Sequence, residues 1–311
     1  MQEAVPEESR RAIAAAFAAN LGIAVAKFAG FAVTGAASLL AEAIHSVADT
    51  GNQALLFLGG RRARRRPTAE HPFGFGQERY FWAFIVALLL FSLGGLFAVV
   101  EGIDKLVHPH TLESFPIALA VLGVAIVLEA LSFRTAMKQA SAGRGDSSWW
   151  QYIRRSKSPE LPVVLLEDTG ALLGLFLAVV GVTAAEITGS SRWDALGSIG
   201  IGILLGVIAI VLATEMKSLL IGESASGDLE DAIRSAMVDG REVLRVIHLR
   251  TMHLGPDELL VAAKVEIDAP SVPDLARAID AAEARVRAAV PIARVIYVEP
   301  DVYRSDAVMD R

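Results

Sequence analysis

The sequence predicts an α-helical membrane protein with six transmembrane helices, followed by a small α/β domain outside the membrane. Three observations lead to this fold class. The apolar runs are long, the charges are concentrated in the connections between them, and the periodicity changes after about residue 224. Hydrophobic residues make up 53% of the 311 residues, and the mean hydropathy is +0.47. This composition and its uneven distribution favour a membrane protein over a soluble one.

The apolar windows are each long enough to cross roughly 30 Å of hydrocarbon as a helix. The predicted spans cover about residues 12–34, 37–59, 80–103, 115–134, 160–185 and 194–215. The first apolar stretch is longer than the core of a signal peptide and has no good cleavage context, so we expect it to stay in the mature protein. The sequence therefore predicts a transport domain over 1–215 and a soluble domain over 216–311.

The connections alternate in charge, which predicts an orientation. The loop after the second span contains RRARRR and Arg79, and the loop after the fourth contains six Lys and Arg residues between 134 and 157, whereas the other loops carry at most one. By the positive-inside rule, both termini and the two basic loops are cytoplasmic. The Ala- and Arg-rich composition without targeting features indicates a bacterial inner membrane.

After residue 224 the pattern is that of a small soluble domain. A helix over 228–239, strands over 243–254 and 258–268, a helix over 273–290 and a strand over 293–300 give the order α-β-β-α-β. This order predicts a ferredoxin-like domain with one helical layer on a sheet. A domain this small is marginally stable alone, so we expect it to dimerise.

A stripe of polar residues runs along the second predicted span, in AEAIHSVADTGNQALL. His45 and Asp49 are four residues apart and lie on one face of a helix; Glu42 and Asn52 extend that face by three residues at either end. Ionisable groups inside a membrane are costly and usually functional. An imidazole and a carboxylate at this spacing can chelate one divalent cation.

A second helix must complete such a site, and the fifth predicted span carries an acidic pair, Glu167 and Asp168. Counted from the cytoplasmic ends of their spans, Asp49 and Asp168 lie at depths of roughly 15 and 12 Å, so they can meet. Because the chain has no cysteine, any metal ligands must be His, Asp or Glu. Two carboxylates and a neutral imidazole balance the charge of a divalent cation, so the site is costly to bury only when it is empty and deprotonated. We therefore expect the empty site to take up protons, which couples metal release to proton entry.

The same polar residues are also compatible with roles apart from metal binding. His45, Asp49 and Asp168 can instead hydrogen-bond one another as polar contacts between helices. Glu42 either belongs to a vestibule or proton path or is a carboxylate at the membrane interface. Asn52 is a possible partner of the metal ligands. Outside the stripe, we expect Lys27 to snorkel or to pair with an acid, and Glu129 to be interfacial.

Four segments carry a resemblance to a known family. They are SLLAEAIHSVADTGNQALLFLG, HPFGFGQERYFWA, LLEDTGALLG and WDALGSIGIGILLG. From about residue 12 to 300 the sequence resembles the cation diffusion facilitator family, and particularly the branch typified by zinc transporter nine. The resemblance implies a six-helix membrane domain, a cytoplasmic metallochaperone-like domain, homodimers, and export of Zn²⁺ or a similar ion in exchange for protons.

The family's transport site, carried over to this sequence, occupies His45, Asp49, Val164 and Asp168. Val164 cannot bind a metal ion, so water or Glu167 would supply the fourth donor. Glu167 is about 100° around the helix from Asp168, so it reaches the same ion only if the helix is rotated or unwound. A site richer in oxygen makes Mn²⁺, Fe²⁺ or Co²⁺ plausible beside Zn²⁺.

The sequence therefore favours a proton-coupled exporter of divalent metal cations that works by alternating access. Its expected partners are a second copy of itself, metal ions, protons and the lipid bilayer, with no nucleic acid and no prosthetic group. An enzyme is not favoured, because AEAIH lacks the HExxH spacing of zinc hydrolases. The remaining alternative is a membrane metal sensor or scaffold that binds metal without transporting it.

Overall fold

The computed structural model describes residues 7–109, 114–240 and 242–304; the side chains of 7–20 and 142–143 are outside this description. Both termini, which we predict to be cytoplasmic, also lie outside it. Contacts divide the chain into two units. One contains the residues up to Gly60 with Phe81–Lys217, and the other contains Arg61–Tyr80 with the residues from Ser218 onward.

The apolar two thirds of the chain is helical. Its described helices are α1 (Glu7–Thr34), α2 (Ala37–Ala63), α3 (Glu78–Leu89), α4 (Phe97–Val107), α5 (Phe115–Arg144), α6 (Trp149–Arg155), α7 (Glu160–Thr188) and α8 (Arg192–Ile221). A π-helical segment, Leu90–Leu96, joins α3 to α4, so that Glu78–Val107 is one continuous helix. The short α6 begins with a capping box formed by Ser148 and Gln151.

Four helices in the described residues are long and apolar enough to cross a membrane. They are Glu78–Val107, the Phe115–Ser141 part of α5, α7 and α8. The chain is therefore a multi-pass integral membrane protein. The described apolar part of α1, Leu21–Thr34, is shorter than a full span, and α2, which carries the polar stripe, is not among the four. Six crossings thus stay a prediction.

Glycines let α8 approach the helix Glu78–Val107 closely. A Cβ atom added at Gly202 would lie 2.6 Å from the carbonyl oxygen of Gly95, and one added at Gly102 would lie 2.7 Å from that of Ala195. Side chains at these distances collide with the backbone, so only glycine permits the contact. The glycine-rich stretch of the last predicted span therefore serves helix packing.

A buried carboxylate holds the beginning of α2. Asp194, at the start of α8, accepts hydrogen bonds from the backbone N–H of Ala37 at 2.7 Å and of Ser38 at 3.3 Å, and also from the Ser38 hydroxyl. Lys105 of α4 lies 2.9 Å from the same carboxylate and donates to the carbonyl of Gly35. Asp194 is fully buried, so this charge pair and the first N–H groups of α2 satisfy one another.

The remaining elements form a small α/β unit in the predicted order. They are α9 (Gly227–Val238), β1 (Val243–Gly255), β2 (Glu258–Ile267), α10 (Val272–Ala289) and β3 (Ala293–Pro300). The described sheet has the strand order β1-β2-β3, with β1 antiparallel and β3 parallel to β2. Its core joins the inner faces of both helices to the sheet; Ile233, Met237, Leu259 and Val286 are fully buried.

The loop between α2 and α3 belongs to this second unit. A Cβ atom added at Gly76 would lie 2.5 Å from the carbonyl oxygen of Leu254 and 3.1 Å from the Cα of Gly255, at the end of β1. Arg79 also forms an ion pair with Asp257 at 3.0 Å. Residues 61–80, which the predicted boundaries assign to the membrane domain, therefore pack on the β1–β2 turn.

We expect Asp194→Ala to destabilise the protein by about 3–5 kcal/mol, because it leaves the Lys105 ammonium buried without its partner. Thermal unfolding in detergent measures this loss. The matched control is Asp104→Ala, one position before Lys105, where the carboxylate is 64% exposed. Equal stability of the two variants would contradict the anchoring role of Asp194.

Candidate functional site

His45 and Asp49 lie side by side on α2, as their spacing predicts. The distance from His45 Nε2 to Asp49 Oδ2 is 3.4 Å, and the imidazole is fully buried. Among the described residues, neither ring nitrogen of His45 has a hydrogen-bond partner. Because an unpaired buried polar group is costly, such a side chain calls for a functional explanation. Its nitrogens are therefore candidate metal donors.

The structure brings Asp49 together with both acidic residues of α7 around one cavity. The described residues that line it are Ile23, Ser46, Asp49, Gln53, Glu129, Val164, Glu167 and Asp168. His45 contacts this group through Asp49. Helix α7 is unbroken, so Glu167 and Asp168 face the cavity together without local unwinding of the helix.

Neighbouring helices hold both α7 carboxylates by hydrogen bonds. The side-chain amide of Asn52 donates to Glu167 Oε1 at 2.7 Å, and the hydroxyl of Ser132 on α5 donates to Asp168 Oδ2 at 3.1 Å. Asn52 thus contacts a candidate ligand. Sequence reasoning does not single out Ser132, because a lone serine in an apolar helix carries little signal.

The candidate ligands do not yet converge. In the part of the chain that the structure describes, no three His, Asp or Glu side chains are close enough together to hold a metal ion. The hydrogen bonds to Asn52 and Ser132 direct the α7 carboxylates to protein partners. A metal ion bound by Glu167 and Asp168 must therefore compete with these donors.

A second polar cluster lies beside the cavity and contains Lys27 of α1. The Lys27 ammonium is fully buried and donates to Glu42 Oε2 at 3.0 Å and to the Ser46 hydroxyl at 2.8 Å; Glu129 Oε1 is 3.9 Å away. Lys27 pairs with acids and does not snorkel. The sequence predicts Glu129 at the interface, but it is buried, because its helix turns it toward this ammonium and the cavity.

The π-helical segment Leu90–Leu96 passes next to His45. A Cβ atom added at Gly94 would lie 3.8 Å from His45 Nδ1 and 3.1 Å from Leu205 Cδ1. A π-helical turn within an α-helix frequently marks a functional site. Sequence reasoning misses this segment, because the paired glycines of LFSLGGL are equally typical of close helix packing.

The family model for the cation efflux transmembrane domain matches residues 13–221. The chain belongs to the cation diffusion facilitator family. This range includes every residue of the cavity described above.

Several curated relatives place this family member in the branch typified by zinc transporter nine. A mouse (Mus musculus) protein named proton-coupled zinc antiporter SLC30A9, mitochondrial, is 32% identical over 78% of this chain and 43% of its own length. Metal tolerance protein C4 of Arabidopsis thaliana is 29% identical over 86% of this chain and 59% of its own. Magnetosome protein MamB of Magnetospira sp. (strain QH-2) is 29% identical over 78% of each. The chain thus spans less than half the length of the first of these.

We expect Lys27→Met to destabilise this cation diffusion facilitator by about 3–5 kcal/mol, because Glu42 is then buried without a counter-charge. The double variant Lys27→Met/Glu42→Gln should recover most of the loss, because Gln carries no charge to be compensated. Unfolding of the wild type, Lys27→Met, Glu42→Gln and the double variant in detergent gives the coupling between the two side chains. Additive effects would show that the Lys27–Glu42 contact is not a stabilising pair.

Proposed function

We propose that this protein exports divalent metal cations across a membrane by alternating access. The observation that carries the proposal is the fully buried His45, whose ring nitrogens lack hydrogen-bond partners among the described residues, next to Asp49 at the carboxylate-lined cavity. Imidazole nitrogen and carboxylate oxygen are the donors that Zn²⁺ and similar ions prefer. Membership of the cation diffusion facilitator family favours a protein that transports the ion over one that keeps it bound.

The donor set bears on which ion is moved. His45 is the one imidazole that contacts this cluster within the described residues, and the remaining candidates are carboxylates. Oxygen-rich sites suit Mn²⁺, Fe²⁺ and Co²⁺ better than nitrogen-rich sites do. The name of the mouse relative, in contrast, points to zinc. We propose Zn²⁺ or one of these related ions as the substrate.

Proton exchange follows from the charge of the cavity. Asp49, Glu167 and Asp168 together carry three negative charges when ionised, and a buried cluster of that charge is costly without cations. Departure of a divalent ion removes the compensation, and entering protons restore it. The name of the mouse relative, a proton-coupled antiporter, supports the same proposal.

We further propose six membrane crossings with both termini in the cytoplasm. Helices α1 and α2 occupy the positions of the first two predicted spans, and polar residues of both are paired inside the helical unit through Lys27 and Glu42. The RRARRR stretch at the end of α2 supports this orientation. A bacterial inner membrane fits the composition, although the mouse relative is named mitochondrial.

The C-terminal unit is proposed as a ferredoxin-like, metallochaperone-like dimerisation domain. Its described sheet has three strands, and its edge strands expose Leu244 and Tyr297, which are 56% and 59% accessible. Apolar side chains at such positions are available for contact with a second copy. In the proposed homodimer, contacts between these exposed side chains add to the small hydrophobic core that the unit forms by itself.

A membrane metal sensor or scaffold is the second candidate. Val164 stands where the family places a ligand, and the described candidate ligands do not converge on a metal position. A site that binds metal without releasing it on the other side would serve sensing. Binding without flux distinguishes this function from transport.

Metal flux into proteoliposomes under an imposed pH gradient tests the exporter. We expect saturable, gradient-dependent flux of at least one ion among Zn²⁺, Mn²⁺, Co²⁺ and Fe²⁺. Asp49→Ala should reduce it to the level of protein-free liposomes, because it removes a central oxygen donor. The exposed Asp104→Ala serves as the matched control and should transport normally.

Two results would contradict the exporter. Folded protein that binds metal but moves none of the four ions would favour the sensor. Flux that is the same with and without the pH gradient would refute proton coupling while leaving metal transport in place.

A further inference from the structure

Glu129 of α5 faces the same cavity as the candidate ligands. It lines this cavity with Asp49, Asp168 and Val164, and its side chain is only 11% exposed. The ligand positions carried over from the family lie on the second and fifth spans, which correspond to α2 and α7. Glu129 therefore adds a carboxylate from a third helix.

Val164 leaves one side of the cavity without a donor. It lies four residues before Asp168, so the two side chains are one turn apart on the same face of α7. Both line the cavity, which places a hydrocarbon where the family has a ligand. A metal ion bound by Asp49 and Asp168 therefore needs another donor, and Glu129 is the cavity carboxylate on neither α2 nor α7 among the described residues.

Helix α5 lies close enough to α7 for Glu129 to take part. Ser132, three residues after Glu129, donates a hydrogen bond to Asp168 at 3.1 Å. Residues three apart are neighbours on a helix surface, so Glu129 and Ser132 share the face that meets α7. The side chain of Glu129 is longer than that of Ser132, so it reaches farther toward α7 from the neighbouring turn of α5.

Glu129 is only loosely held where it lies. Its Oε1 is 3.9 Å from Lys27 Nζ, which is an ion pair without a hydrogen bond. Lys27 has nearer partners in Glu42, at 3.0 Å, and Ser46, at 2.8 Å. Glu129 can therefore move toward a metal ion while Lys27 keeps its two shorter contacts.

We propose that Glu129 is a ligand of the transported metal ion and replaces the donor that Val164 lacks. In the absence of metal, the ammonium of Lys27 holds the Glu129 carboxylate beside the cavity. The inference rests on the proposed metal-transport function and adds to it. It makes the ligand set one nitrogen and carboxylate oxygens from three helices, so that α5 takes part in metal binding.

The test is direct binding of Zn²⁺, Mn²⁺ and Co²⁺ to the purified full chain in detergent, by calorimetry. Glu129→Ala should weaken binding by at least about tenfold, since even indirect partners of a metal are worth about that much. Adding Val164→Asp to Glu129→Ala supplies a carboxylate at the family's position and should restore most of the affinity. Glu129→Gln, which keeps the side-chain volume, should weaken binding less than Glu129→Ala.

The rescue by Val164→Asp distinguishes a ligand from a structural ion-pair partner. If Glu129 served only to compensate Lys27, Val164→Asp would raise the affinity of the wild type as much as that of Glu129→Ala, whereas a ligand at Glu129 makes the gain larger in Glu129→Ala. Visible absorption of bound Co²⁺ gives a second readout, because its intensity depends on coordination geometry. The spectrum should change in Glu129→Gln and return toward wild type in the rescued double variant.

Unchanged affinity and an unchanged Co²⁺ spectrum in Glu129→Ala and Glu129→Gln would overturn the inference, as would a loss that Val164→Asp fails to rescue. If Glu129→Ala does not fold, the spectrum and affinity of Glu129→Gln decide. Wild-type protein that binds metal but does not transport it would sink the proposed function alone. Wild-type protein that binds none of the three ions would refute both.

Discussion

A charge inside the apolar helical unit is stable only if the unit itself compensates it, and two buried ammonium–carboxylate pairs do so in the part of the chain that the structure describes. The Lys105–Asp194 pair contacts the first residues of α2. The Lys27–Glu42 pair contains Glu42, which precedes His45 on α2 by about one turn. Both pairs involve α2. One connects the first residues of α2 to α4 and α8, and the other connects its second turn to α1, with Glu129 of α5 nearby.

These anchors determine which way α2 faces. Asp194 holds the start of α2, and Lys27 holds Glu42, so the rotation of α2 about its axis is fixed. In this rotation Asp49 faces the cavity shared with α7. Glycines let neighbouring backbones approach, and one of them, Gly94, lies next to His45. Transport by alternating access requires the site to open to each side in turn. Hydrogen bonds that a metal ion can replace, such as those to Glu167 and Asp168, suit such a site.

Periodicity and spacing predicted much of the architecture. The six apolar windows coincide with long helices, and the α-β-β-α-β order of the C-terminal unit appears as expected. The stripe around His45 was recognisable because ionisable residues are rare in apolar helices. Glu129 carries the same signal, yet the sequence predicts it at the interface, because sequence position alone does not show which side of a helix meets its neighbours. The packing of Arg79 on Asp257, 178 residues later, left no local pattern at all.

The sequence by itself determined which residue types are available and which of them share a helical face, because both depend on local geometry and on the cost of charge in hydrocarbon. It thereby determined the stripe on α2 and the acidic pair on α7, while the resemblance to the family implies that Val164 stands where a ligand is expected. Only the tertiary structure decided which carboxylates meet at one cavity and which are bound to Lys27 or to the start of α2. The physical reason is that these contacts depend on how each helix is rotated against its neighbours, and that rotation is set by packing and charge pairing among residues far apart in the chain.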